Sequence, residues 1–243
     1  MFMGHYAPAV WDTQRGKGVV LVPLWVAFLA VQFMDIVFAV LTMVGIEGNT
    51  RMIGGEPYFT IPYSHSLLTS LGWAAIGGLI FKALRPKSGA KGFWVVFGLV
   101  FSHWVFDFIV HRPDLPLWPG SEIELGLSVW NWPYLAFALE MGLLLGAFLF
   151  WMRVTTGPKS SVIALFALFL FMGILQFTFI TMPGIQVQAG SFDPSAGPHG
   201  ATLGVLMLFT YSLLAAAIAW IERRRPPKLR PPKLRPAMRR PQI

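Results

Sequence analysis

Six stretches of this chain, near 19–46, 62–84, 92–112, 133–153, 161–182 and 202–222, are apolar on every side rather than along one stripe. A bilayer core about 30 Å thick needs roughly twenty such residues per helix. With no water in that core, every backbone N–H and C=O must be satisfied within the segment, which makes the helix the natural spanning form. The expected fold class is therefore all-α, a polytopic transmembrane helix bundle of about six spans. Composition agrees where it matters: 12% of the residues are charged, against the roughly 25% that covers a soluble surface. Cysteine is absent, which excludes disulfides and thiolate metal sites.

Orientation follows from the basic residues, because cytoplasmic loops keep an excess of Lys and Arg. With the N-terminus inside, Arg15, Lys17, Lys82, Arg85, Lys87, Lys91, Arg153, Lys159 and nine basic residues after Trp220 share one side. Only Arg51 and Arg112 fall on the other. The expected organisation is a cytoplasmic or interfacial segment 1–18, a six-helix domain 19–222, and a disordered, basic, Pro-rich tail 223–243, both termini being cytoplasmic. Nearly half of the basic residues sit in that tail, so the net charge of +8 reads as a topology anchor against anionic headgroups and not as a nucleic-acid surface. Trp118, Trp130, Trp132 and Tyr134 would form an outer aromatic belt, with Trp94, Trp151 and Trp220 at the inner one.

Ionisable groups inside membrane helices are costly and mark function by default. Asp35 lies in the first stretch and His65 at the start of the second. His103, Asp107 and His111 follow in the third, Glu140 in the fourth, and the polar but uncharged Gln176 in the fifth. At about 1.5 Å of rise per residue, Asp107 lies roughly 7 Å below the outer end of its helix, Gln176 about 9 Å, Glu140 about 10 Å, His103 about 13 Å and Asp35 about 16 Å. His65 and His111 would cap this layer at the surface. His103, Asp107 and His111 recur at i, i+4 and i+8, on one helical face. Imidazoles and carboxylates suit a divalent metal, zinc or manganese, and ligands one turn apart can share it. The same groups could instead fasten helices by hydrogen bonds alone. His111, beside Arg112 at its helix end, reads as interfacial, and Gln176 as a helix–helix hydrogen bond.

Several short motifs occur in a suggestive order: Gly-His-Tyr-Ala around His5, Phe-Met-Asp-Ile around Asp35, Tyr-Ser-His-Ser at 63–66 and Ser-His-Trp-Val-Phe-Asp at 102–107. Over roughly residues 4 to 140 the chain resembles the YdjM-like predicted membrane-bound metal-dependent hydrolases of bacteria. The resemblance implies a bacterial cytoplasmic (inner) membrane protein with His5, Asp35, His65, His103 and Asp107 as metal ligands. The basic-residue asymmetry, by contrast, puts His5 on the inner side, across the bilayer from the others.

Three function classes follow. As a metal-dependent hydrolase, the chain would polarise a substrate oxygen with the metal and use Glu140 as general base. A site just beneath the outer surface would suit an amphiphilic ester or phosphate ester. As an accessory or assembly subunit, it would dock other membrane subunits through its aromatic outer loops. As a transporter, it would line a proton or cation route with Asp35, Asp107 and Glu140.

Overall fold

The computed structural model describes residues 1–11 and 20–228. Arg15, Lys17 and the tail segment 229–243 lie outside the described residues. Helices make up 68% of the structure, and among the described residues strands form only two short antiparallel pairs. The chain is an all-α polytopic membrane bundle.

A short 3₁₀ turn, Met3–His5, leads into α1, Tyr6–Val10. Helices α2, Leu24–Val31, and α3, Phe33–Met43, form one apolar span bent by 53° at Gln32. Next come α4, Leu67–Leu84, α5, Gly89–Val110, and α6, Pro133–Val154. Helix α7, Lys159–Gln176, continues through a π-helical turn, Phe177–Thr181, into α8, Met182–Gln188, and α9, Gly200–Arg223, closes the bundle. Among the described residues five helical runs are long and apolar enough to cross a membrane, and the bent pair, taken as one span, makes a sixth. The strand pairs, β1 (Asn49–Ile53) with β2 (Glu56–Thr60) and β3 (Leu115–Pro116) with β4 (Glu124–Leu125), gather at the end that the basic residues assign to the outside.

Helix association inside a bilayer rests on close packing, because lipid tails are as apolar as the side chains. Two glycines permit it here. A Cβ on Gly78 of α4 would stand 2.7 Å from the Phe93 ring of α5. One on Gly204 of α9 would run into Met43 and the Ala39 carbonyl of α3.

Both ends are tied by side-chain caps. At the inner end both Glu222 carboxylate oxygens accept from the free N–H of Leu24, at 2.9 Å, joining the start of α2 to the end of α9. Arg225 is buried and donates to Thr155 Oγ1 and Ser161 Oγ, holding the tail's start against the α6–α7 connection. At the outer end Arg112 is buried and paired with Glu56 at 2.8 Å. Trp118, Trp132 and Tyr134 are exposed, as a belt requires, and so are Trp94 and Trp220, whereas Trp151 is fully buried.

The N-terminal segment departs from the sequence expectation. Rather than lying in the cytoplasm or at an interface, residues 1–10 are packed inside the bundle, with Met3, His5, Tyr6, Ala7 and Val10 all buried. Glu140 Oε2 of α6 accepts from the N–H groups of Phe2 (2.8 Å) and Gly4 (3.0 Å), and Gln176 Oε1 of α7 accepts from Met3 N–H (3.0 Å). Irregular backbone is tolerated at membrane depth only where protein satisfies it in this way. The basic-residue rule acts on Arg15 and Lys17. Residues 1–11 carry no Lys, Arg, Asp or Glu.

Candidate metal centre

Each imidazole of the cluster is placed by a local feature of its own element. Ser66 caps α4, its hydroxyl accepting from Thr69 N–H at 3.3 Å, which sets His65 at the helix entrance facing inward. His103 and Asp107 sit one turn apart on the regular part of α5, both buried. His111 ends that helix, donating its backbone N–H to the Asp107 carbonyl at 2.8 Å. Pro113, two residues on, disfavours helix at the residue before it. His5 ends the N-terminal 3₁₀ turn, its ring stacked on His103 at a 3.6 Å centroid distance.

Three of these rings have a tautomer fixed from outside. Val31 is the last residue of α2, where a helix leaves its final carbonyls without internal partners. Its oxygen lies 2.6 Å from His103 Nδ1; a carbonyl only accepts, so Nδ1 carries the proton. Ser64 Oγ donates to Glu47 Oε2 at 2.5 Å and therefore accepts from His65 Nδ1 at 2.7 Å. Asp114 Oδ1 accepts from His111 Nδ1 at 2.8 Å, while its other oxygen takes the N–H of Phe59. In their neutral forms His65, His103 and His111 thus all turn an unprotonated Nε2 inward.

Those nitrogens converge on two carboxylates. Asp107 Oδ2 lies 3.1 Å from His103 Nε2 and 3.5 Å from His65 Nε2. Its Oδ1 lies 3.1 Å from His5 Nε2 and 3.6 Å from His111 Nε2, and also meets the amino group of Met1. Asp35 Oδ1 is 3.4 Å from His65 Nε2 and 3.6 Å from His103 Nε2, while its Oδ2 accepts from Tyr211 O–H at 2.8 Å. The two imidazole nitrogens of His65 and His103 are themselves 3.3 Å apart. Lone pairs so close repel unless a cation or additional protons stand between them. Ligands at the usual zinc distance of about 2.0–2.1 Å are separated by about 3.3–3.4 Å along the edges of a tetrahedron. Two overlapping sets, one of His5, His103 and Asp107 and the other of Asp35, His65 and His103, each bring one ligand atom per residue within 4.8 Å of one another. The donors are nitrogen and oxygen only, which suits zinc or manganese.

The structure therefore brings together His5, Asp35, His65, His103 and Asp107. His5, which the charge asymmetry had put on the opposite side, reaches Asp107 because the segment bearing it is buried in the bundle. Glu140 does not face the cluster. One of its oxygens is held by the Phe2 and Gly4 amides, and the other has no hydrogen-bond partner among the described residues. His111 is not interfacial but buried, its ring 4.3 Å from that of Trp130. Its i+4 spacing from Asp107 was the available signal. Tyr211 had none, being one aromatic residue in an apolar run, and the Val31 carbonyl acts only because the helix breaks after it.

A pocket of about 240 Å³ adjoins the cluster. Asp35, His65, Asp107 and His111 form its polar wall, and the rest of its lining is almost wholly apolar. Comparison of the chain with family models, curated proteins and solved structures finds no match.

Proposed function

We propose that the chain is a metal-dependent hydrolase of a bacterial cytoplasmic membrane, cleaving an ester or phosphate ester at the His/Asp cluster. The observation that carries this reading is the common orientation of His65, His103 and His111. Each donates from Nδ1 to an outer partner and turns its Nε2, unprotonated in the neutral ring, toward Asp107 or Asp35. Outer partners of this kind are what fix metal-ligating histidines. A purely structural cluster of neutral rings would be expected to place N–H donors, not lone pairs, against its carboxylates. The resemblance of residues 4 to 140 to the YdjM-like hydrolases points the same way.

A divalent ion at such a cluster would polarise a substrate oxygen and lower the pKa of a water. His65, His103 and Asp107 would hold the ion, with His5 and His111 on the far oxygen of Asp107. Asp35 takes the proton-accepting role first assigned to Glu140. Its side chain is 14% exposed, against 2% for Asp107, and the Tyr211 hydroxyl fixes its orientation. A transport route would need polar lining below the cluster as well. There α1 and α2 contribute Ala7, Val10, Leu24, Ala27 and Phe28, all buried in the apolar core, which favours a reaction site.

Elemental analysis of the detergent-purified chain is the direct test, run beside hydrolysis of p-nitrophenyl esters and phosphate esters. Zinc or manganese near one equivalent or more is expected, falling toward zero in both His103→Ala and Asp107→Ala. A folded wild-type protein that takes up neither ion would overturn the reading.

A further inference from the structure

The pocket beside the cluster has two unlike walls, and its lining runs out to the lipid-facing surface. One wall carries Asp35, His65, Asp107 and His111. Opposite, Leu203, Leu206, Met207 and Thr210 recur at helical spacing along one face of α9, as a continuous stripe should. From Leu203 to Tyr211 that face runs about 12 Å along the helix axis. Leu206 and Phe179 line the pocket and are 44% and 51% exposed, more than its other apolar lining residues, which are buried or half-buried. A side chain that faces both a cavity and the exterior marks the cavity's rim. The mouth therefore lies between α9 and the π-helical turn that carries Phe179, among side chains that face lipid. Turns of this type inside helices occur often at functional sites. At the other end Trp130 joins the lining beside His111, its buried indole N–H without a hydrogen-bond partner among the described residues.

We infer that the substrate is a single-chain amphiphile that enters sideways from the bilayer between Phe179 and Leu206. Its ester or phosphate head lies against the His/Asp wall, and its chain lies along α9 and out through the mouth. This rests on the metal-centre reading and adds to it the ligand class and the route. A cavity of about 240 Å³ takes a small head and one chain, not two chains side by side. A water-soluble substrate would gain nothing from an apolar wall about 12 Å long or from an opening into lipid.

The test uses the full chain in lipid nanodiscs, loaded with cobalt(II) so that ligand binding is read from the visible spectrum. The probes are acetohydroxamate and octanohydroxamate, which share one metal-binding head and differ only in chain length. Octanohydroxamate should bind at least about tenfold tighter, well short of the several-fold per methylene available from water because the chain starts in lipid. Leu206→Trp, which narrows the mouth, should abolish that preference while leaving cobalt content and acetohydroxamate affinity unchanged. Phe179→Trp narrows it from the opposite side and serves if the first variant fails to retain cobalt. Equal affinity for the two probes, or a preference that survives both narrowing variants, overturns the inference while leaving the metal centre in place. A wild-type chain that binds no cobalt overturns both.

Discussion

Ser64→Ala separates a metal centre from a hydrogen-bonded cluster without touching any proposed ligand. The Ser64 hydroxyl is the only link between His65 Nδ1 (2.7 Å) and Glu47 Oε2 (2.5 Å) among the described hydrogen bonds. Glu47 keeps the backbone N–H groups of Tyr63 and Ser64, so the loop before α4 stays anchored. What is lost is the acceptor that holds the proton on Nδ1. Without it the His65 ring is free to place its proton on Nε2, or to rotate, and its lone pair no longer faces Asp107 and Asp35. Loss of such an outer partner costs about 10–100-fold in metal affinity, equivalent to about 1.4–2.7 kcal/mol.

The assay is competition for zinc against a chromophoric chelator, paired with thermal unfolding in the presence and absence of metal. Because an ion bound only to the folded state stabilises it in proportion to the logarithm of its affinity, the metal-dependent part of the stability should shrink by about the same 1.4–2.7 kcal/mol. The metal-free proteins should differ by only about 1–3 kcal/mol, the cost of removing one partner from a buried hydrogen bond. If Ser64→Ala lost stability equally with and without zinc, and bound zinc as tightly as wild type, the tautomer reasoning would fail. His65 would then be a structural residue.

Two further outcomes follow from the same geometry. Zinc affinity should fall as pH drops from about 8 to about 5, because protons compete for the ring nitrogens; chelator competition across that range checks this, and an affinity unchanged with pH would contradict imidazole ligation. Glu140→Gln keeps an oxygen able to accept from the Phe2 and Gly4 amides, so folding, zinc content and hydrolysis should stay within several-fold of wild type; a loss of about 100-fold or more in rate at full zinc content would restore Glu140 as the general base.

The spans and the depth of the polar layer were legible because both follow from one-dimensional regularities: about twenty apolar residues per crossing, and about 1.5 Å of rise per residue. His103 and Asp107 were legible for the same reason, lying one turn apart on an unbroken helix. Glu140 shares that depth, yet its Oε2 is held by the Phe2 and Gly4 amides. Depth alone cannot distinguish a carboxylate facing a cluster from one facing a buried backbone turn, and the turn comes from residues 1–5, which no hydrophobic period marks. The break at Gln32 was equally hidden, since 19–46 is apolar throughout. Gln32 is buried and donates to the Phe2 carbonyl at 3.3 Å, so the bend depends on a segment that is distant in sequence.

Irregular backbone is expensive in a membrane, and in this bundle it is gathered around the cluster. The α2–α3 bend releases the Val31 carbonyl to His103. The 3₁₀ turn at Met3–His5 brings the His5 ring onto His103. The π-helical turn Phe177–Thr181 follows directly after Gln176, whose side chain caps that same 3₁₀ turn, and it places Phe179 at the rim of the pocket. Helices α4, α5, α6 and α9, which carry no such break, serve as the frame. If the polar residues served only to fasten helices, regular helices could supply the same hydrogen bonds from side chains alone, with no backbone left to satisfy. The breaks instead deliver a carbonyl, a ring and an opening to one place, each kept in order by a buried polar side chain: Gln32, Glu140 or Gln176. Those three contribute no ligand. One polar atom of each sets the geometry of the proposed ligands, and the other (Gln32 Oε1, Glu140 Oε1 or Gln176 Nε2) has no hydrogen-bond partner among the described residues.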